Sequence, residues 1–362
     1  MWNSNVLSGL LEEMYSVKNE KLLMGKREGG FSSIQTMLIL FILSLSVLGL
    51  GTGISLTQKY FYKNEAIQQE LILLQNEVKE IIEQLENDPT PESDSPIDPV
   101  WSYIDSRANE YTYLRLSDVS SRINPNWVRS VFFQRTNFKK FLLNGVSHDM
   151  LNDHRNKTGF VMDINSSYFE LIDPEALDTL FTPYSYINVN TAYEYVLKDM
   201  YELITGDSGG ALSFHSFITD ALSEKRIITE SELKNTVGTD YESIYPIIST
   251  LPEMNVHFTP EFTLEQVLSY PYGGERIENS NSILNTLLSL RINNEITTGE
   301  LQGFIETEGL QERIFHHIGT KTWFWKVEIA TKLVSIEAII VCVPSLKIDS
   351  DYKYKLYSFK IK

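Results

Sequence analysis

From Gly29 to Gln58 there is no charged residue, and the run from Met37 to Leu50 is almost wholly apolar. A helix of about 20 apolar residues crosses a bilayer, so this pattern predicts a membrane-spanning segment over residues 31–58. Polar and apolar positions then alternate differently. Ile67, Leu71, Leu74, Val78, Ile81 and Leu85 follow at steps of four and three, with Glu70, Glu77, Lys79 and Glu80 off that seam. This is one apolar stripe on a continuous helix, over residues 59–88, suited to a short coiled coil or to packing on a sheet. Its direct continuation from the membrane segment favours the second. Asp88-Pro89 closes the helix, because a residue before proline avoids helical geometry. Four prolines in residues 87–99 mark an extended acidic linker, placed at 89–100.

The long middle of the sequence repeats itself. Ile123-Asn-Pro-Asn126, Ile187-Asn-Val-Asn190 and Met254-Asn-Val-His257 place their first Asn 64 and then 67 positions apart. A second element, Ile227-Ile-Thr-Glu-Ser-Glu-Leu233, returns as Glu295-Ile-Thr-Thr-Gly-Glu-Leu301, 68 positions on at its final Leu. Two elements that recur at offsets agreeing to within one residue define a repeated unit: an extended step, a turn, then helices. Asn side chains bond nearby backbone and tolerate turn geometry, so the Asn-x-Asn steps read as turn formers and not as ligands. Thr191 with Glu194, and Thr263 with Gln266, are spaced as capping boxes that open the following helices.

Near the C-terminus the period drops to two. Trp323, Trp325, Val327 and Ile329 share one strand face, Leu333 to Val343 forms a second strand, and Tyr352 to Lys362 alternates with lysines on one side. Three such runs make an antiparallel meander with one solvated face. The aromatic stripe is core.

Charge and composition narrow the classes. There are 31 Lys and Arg against 48 Asp and Glu, a formal net charge of −17, which argues against nucleic-acid binding by clustered cations. The single Cys342 excludes an internal disulfide and a multi-thiolate zinc site. Gly206-Asp-Ser-Gly-Gly210 has the letters found around a serine-protease nucleophile. Its upstream histidines, His148 and His154, stand in the wrong context for a base, so a flexible interhelical loop is the reading. His316-His317 has no carboxylate or thiolate at metal-ligand spacing. Asp349 and Asp351 come nearest to an acidic pair, and a solvated turn explains them.

The N-terminal junction is the most specific signal. Lys26-Arg-Glu-Gly-Gly-Phe31 stands directly before the apolar run, with the small residues ahead of it, the reverse of a secretory signal peptide. It resembles a prepilin leader, which implies cleavage between Gly30 and Phe31 on the cytoplasmic side and N-methylation of Phe31 by prepilin peptidase. Met24 would serve as a start that leaves a short basic leader. Pilin-like proteins usually have glutamate at the fifth mature position, where this sequence has Gln35. The minor pseudopilin K family of type II secretion systems (general secretion pathway protein K) typically lacks that glutamate. Its helical domain contains strings similar to Asn188-Val-Asn-Thr-Ala192, and Leu114 to Asn126 resembles the strand leading into its first Asn-x-Asn step. The protein thus resembles that family, on motifs spread from residue 26 to about 270.

The fold expected is α+β: a transmembrane and stalk helix, a small antiparallel pilin-like sheet, and a large inserted all-helical domain. The expected divisions are a leader at 1–30, the membrane segment at 31–58, the stalk at 59–88 and the linker at 89–100. First strands of the head follow at 101–124, the helical insertion at 125–319 and the last strands at 320–362. Lys21, Lys26 and Arg27 ahead of the span favour a cytoplasmic N-terminus in the inner membrane and a periplasmic C-terminal domain, with Lys59 and Lys63 weakening the contrast.

The resemblance implies a non-enzymatic tip subunit that starts pseudopilus assembly with I- and J-type minor pseudopilins and supports protein export, with secreted proteins as further partners. It implies no cofactor; calcium occurs in some relatives, with no ligands assignable here. The rival readings are a membrane-anchored serine hydrolase using Ser208 and a minor pilin of a DNA-uptake or type IV pilus.

Overall fold

The computed structural model describes residues 31–143, 145–147, 150, 169–270, 276–293, 296–308, 317–343 and 353–362. The protein divides into two compact units, residues 1–68 and 69–362. The first helix, α1 (Phe31–Glu86), begins in one and ends in the other.

In the first unit α1 has an 18-residue window of mean hydropathy 2.3, with none of that window buried against protein. It is long and apolar enough to cross a membrane. Its hydroxyls are turned back onto the helix: Ser46 donates to the Ile42 carbonyl at 2.8 Å and Thr57 to that of Gly53 at 2.8 Å. Such pairing suits side chains that find no water around them.

In the second unit the seam of α1 is buried from Leu74 through Val78 and Ile81 to Leu85, while Leu71 is half-buried. Glu77, placed off the seam by periodicity, is buried as well. It accepts hydrogen bonds from Tyr103 Oη (2.9 Å), Tyr111 Oη (2.6 Å) and Arg107 (2.8 Å). Burial raises the energy of the carboxylate, but these donors outweigh it and hold its pKa below the ordinary value. The donors come from a segment expected to hold strands. Instead Pro99–Arg107 is a helix, α2, with Pro99 in its first turn and Val100 and Ile104 buried four positions apart. Within 101–124 only Tyr113–Asp118, β1, is a strand.

After the two-residue strands β2 (Ile187–Asn188), β3 (Ile248–Ser249), β4 (Met254–Asn255) and β5 (Ile318–Gly319) come β6 (Phe324–Ala330), β7 (Ser335–Val343) and β8 (Lys353–Ile361), and a four-stranded antiparallel sheet has the order β1-β6-β7-β8. β1 lies against β6, Leu116 opposite Val327, although residues 119–323 separate the two in sequence. Trp323, Trp325, Val327 and Ile329 are all buried, as their alternation requires. β8 departs from strict alternation. Ile339 faces Ser358 and Ile340 faces Leu356, so Tyr357 is an extra residue. That bulge reconciles the parity of Lys353 and Lys355 with that of Lys360 and Lys362. All four then stand opposite odd-numbered residues of β7, on one face. Cys342 of β7 is buried, which pushes its thiol up to about 12 and leaves it unreactive.

Between β1 and β6 the repeated units have a common backbone plan. The residue before each first Asn pairs in parallel with a later residue: Ile123 with Phe181, Ile187 with Ile248, and Met254 with Ile318. The bonds match in kind: Ile123 N–H donates to Leu180, Ile187 N–H to Ile247, and Met254 N–H to His317. Helices fill the space between each pair. Glu194–Thr205 and Ser208–Ser223 (α5 and α6) form a hairpin in the second unit, after α3 (Ser130–Arg135) and α4 (Pro174–Leu180) in the first. The third holds Glu261–Ser269, Ser280–Asn293 and Thr298–Thr307. The first and third units share one core, in which Phe133, Phe138 and Phe181 meet Leu264, Leu287 and Leu301. The second has its own, around Leu197, Phe214, Ile218 and Leu233.

Candidate functional site

The three Asn-x-Asn steps are built alike. Asn124, Asn188 and Asn255 each accept, on Oδ1, the backbone N–H two residues on, at 3.1, 2.8 and 2.9 Å. Each amide nitrogen then donates to a carbonyl outside its own turn: Pro183, Leu251 and Asp94 respectively. All three side chains are buried, so they are turn formers that also tie the turn to its neighbour. In the second and third steps the next polar position joins the unit to its later element. Asn190 holds both the N–H and the C=O of Ile228 (2.8 and 3.0 Å), and His257 Nε2 accepts the N–H of Ile296 at 2.9 Å.

That later element is where the capping boxes lie. Thr229 with Glu232, and Thr297 with Glu300, each close reciprocal bonds of 3.3 and 2.9 Å. The boxes expected at Thr191 and Thr263 do not form. An antiparallel bridge between Val128 and Ala192 holds the backbone extended past Thr191, so α5 begins only at Glu194 and Thr191 donates to Glu253. Thr263 lies inside the helix that starts at Glu261.

The third turn is fastened to the linker and the sheet through buried carboxylates. Asp94 accepts from Lys321 Nζ (2.8 Å) and Thr322 N–H (2.6 Å), and its own N–H donates to Thr320 (2.7 Å). Asp118, at the end of β1, accepts from Ser120 and Ser121 N–H and from the hydroxyls of Ser121 and Thr322. Asn255 N–H donates to Ser121 Oγ at 2.8 Å. Residues 93–95, within the expected acidic linker, are therefore buried and docked. Burial pushes Asp94 up to about 7 against the pull of Lys321, and it raises Asp118 too.

Asp88, Asp94 and Asp98 bring one carboxylate oxygen each within 4.8 Å of the others. At least five of their six oxygens already accept hydrogen bonds. Thr90 serves Asp88, Ser95 serves Asp98, and Lys321 supplies Asp94 with a cation. Calcium takes about six to eight oxygens, and this donor set does not fit it.

Of the residues singled out at the processing junction, Gly30 lies outside the described residues, and Phe31 and Gln35 fall in the first turns of α1. His148, His154, His316, Asp349 and Asp351 also lie outside them. His317 is buried, and its Nδ1 stands 3.5 Å from the Glu253 carboxylate, a neighbour 64 residues away that sequence spacing does not show. The Gly206–Gly210 stretch is a tight αα turn rather than a flexible loop. Gly206, at φ +73°, caps α5 by donating to the Glu202 carbonyl, and Asp207 caps α6 by accepting from Gly209. A Cβ on Gly210 would come within 2.6 Å of Asp207 and 3.0 Å of Tyr201. These glycines answer to the turn. Ser208 is the first residue of α6, and among the described residues no histidine hydrogen-bonds it.

Sequence reasoning missed Glu77, Asp94 and Asp118. Their only local signal is an acidic residue beside Ser or on a helix seam's flank, and their partners lie mostly far off in sequence. No model of a known protein family matches this protein, and no curated protein matches it.

Proposed function

We propose that the protein is a minor pseudopilin of the K type, anchored by residues 31–58 in the inner membrane with its larger part in the periplasm. There it sits at the tip of a type II secretion pseudopilus and starts assembly with I- and J-type partners. The observation that carries this reading is the topology. A helix long and apolar enough to cross a membrane runs on into the unit that holds a four-stranded antiparallel sheet, and adjacent strands β1 and β6 bracket the repeated helical units. On this reading residues 125–319 are a domain inserted into a pilin-like head.

The leader junction Lys26–Phe31 and the neutral Gln35 support it from the sequence. A carboxylate inside a membrane helix is costly unless a neighbour pairs with it, and a subunit with nothing stacked above it has no such need. The protein has no reaction of its own to perform; prepilin peptidase acts on it between Gly30 and Phe31. The buried ties at Asp94, Asp118 and the three Asn turns would let the head and the helical units act as one body at a filament tip.

Affinity purification from the native host, with the membrane solubilised mildly, tests this. Other pilin-like subunits should co-purify. Recovery of the tagged protein with no pilin-like partner would contradict the reading.

A further inference from the structure

The sheet ends at β8, and among the described residues no strand lies against its outer edge. Which backbone groups face outward follows from the register. Cys342 N–H donates to the Trp323 carbonyl, so Tyr354, opposite Cys342, turns its own backbone groups away from β7. Glu86 of α1 answers the Tyr354 N–H there, at 3.1 Å. At the other end Lys362 N–H donates inward to the Ser335 carbonyl. Alternation then turns Ile361 and Phe359 outward and, beyond the bulge at Tyr357, Leu356 as well. No described residue takes the outward backbone groups of these three.

The side chains along this edge are of two kinds. On the face shared with the buried Ile336 and Ile340 of β7, Leu356 is 48% and Ile361 61% exposed, so the apolar layer is open at its margin. On the other face stand Lys353, Lys355, Lys360 and Lys362. Glu337 and Glu328 hold Lys362, at 2.6 and 3.6 Å. Lys353 and Lys355 are exposed, and no described carboxylate pairs with either, in a protein of net charge −17. Lysines on an edge strand guard it against a second copy, because an antiparallel pair of identical edges would set lysines against lysines. The same edge fits an extended segment whose side chains alternate acidic and apolar. Its carboxylates would stand on the face of Lys353 and Lys355, and its apolar groups beside Leu356 and Ile361. Its main chain would take the open groups of Leu356, Phe359 and Ile361.

We propose that β8 is a docking edge for an extended acidic segment of a partner polypeptide, which adds to the sheet as a fifth strand along residues 356–362. Glu86, by occupying the Tyr354 N–H, marks where that strand stops. This inference does not depend on the secretion reading.

The full-length protein in a nonionic detergent is titrated with short labelled peptides of alternating glutamate and valine, lysine and valine, or glutamate and serine. Fluorescence anisotropy reads binding, and amide hydrogen exchange reads its place. The glutamate–valine peptide should bind saturably and slow exchange at Leu356, Phe359 and Ile361, and the other two should bind about tenfold more weakly or worse. Ile361→Pro removes one outward N–H and leaves the inward bonds to β7 in place, so it should weaken binding about tenfold with the thermal midpoint nearly unchanged. The double variant Lys353→Glu/Lys355→Glu should reverse the preference toward the lysine–valine peptide. Both positions are exposed, so this variant decides even if Ile361→Pro does not fold. No saturable binding, equal binding of either control peptide, protection elsewhere in the protein, unchanged affinity in a folded Ile361→Pro variant, or an unreversed preference would each overturn the proposal. Self-association of the protein that Ile361→Pro abolishes would overturn it in favour of a second copy.

Discussion

Asp94 and Lys321 are buried together, with side chains 1% and 6% exposed, and neither charge can be removed alone without stranding the other. Breaking such a pair from one side costs about 3–5 kcal/mol, whereas replacing both by apolar groups of similar size is nearly neutral. Above about pH 7, where the Asp94 carboxylate is ionised, Asp94→Asn should therefore destabilise the protein by that amount in denaturant unfolding, and adding Lys321→Met should recover most of the loss. The pair also makes stability depend on pH. Asp94 titrates near 7 when folded against 3.8 for the ordinary carboxyl, so between those values the folded state keeps a proton that the unfolded state has released. Its stabilising contribution is complete at low pH and declines as pH rises from about 4 to about 7. Unfolding free energies of the natural protein should decline more steeply across this window than those of the Asp94→Asn/Lys321→Met variant, which keeps only the raised Asp118. Parallel curves across the window would refute the assignment.

At the scale of elements, the second repeated motif has the clearest physical meaning. Thr229 and Thr297 occupy matching positions, each satisfying a first-turn N–H that would otherwise lack a partner. Thr229→Ala and Thr297→Ala should each cost about 1 kcal/mol. Because the two lie in units with separate cores, the double variant should lose close to the sum. Thr191→Ala and Thr263→Ala involve no such capping loss, and equal effects at all four positions would contradict the placement of the boxes. Legibility followed the range of the interaction. The stripe from Leu74 to Leu85 and the alternation from Trp323 to Ile329 report burial directly, and both are buried where the pattern puts them. The box at Thr191 fails because a bridge to Val128, distant in sequence, overrides a local signal. The β8 bulge hides inside an apparently regular alternation. Glu77 and Asp94 look like solvated charges in a one-dimensional reading, since the groups that admit them to the interior arrive from 26 to 34 and from 227 to 228 residues away.

At the scale of the whole molecule, a helix long and apolar enough to cross a membrane stands ahead of a sheet whose neighbouring strands bracket three repeated units in sequence. If the protein acts by assembly, its hydroxyl nucleophile candidate is dispensable: Ser208 is only the first residue of a capped helix. Ser208→Ala should leave secretion by the native host unchanged, and loss of export from a folded variant would revive a catalytic reading. On the proposed function, the N-terminal end is processed before the protein assembles. Intact-mass and N-terminal peptide analysis of the protein extracted from its own membranes tests it most directly. A pseudopilin should yield a mature protein that starts at N-methylated Phe31; a protein that keeps Gly30 and its leader, in a host with active prepilin peptidase, would overturn that reading.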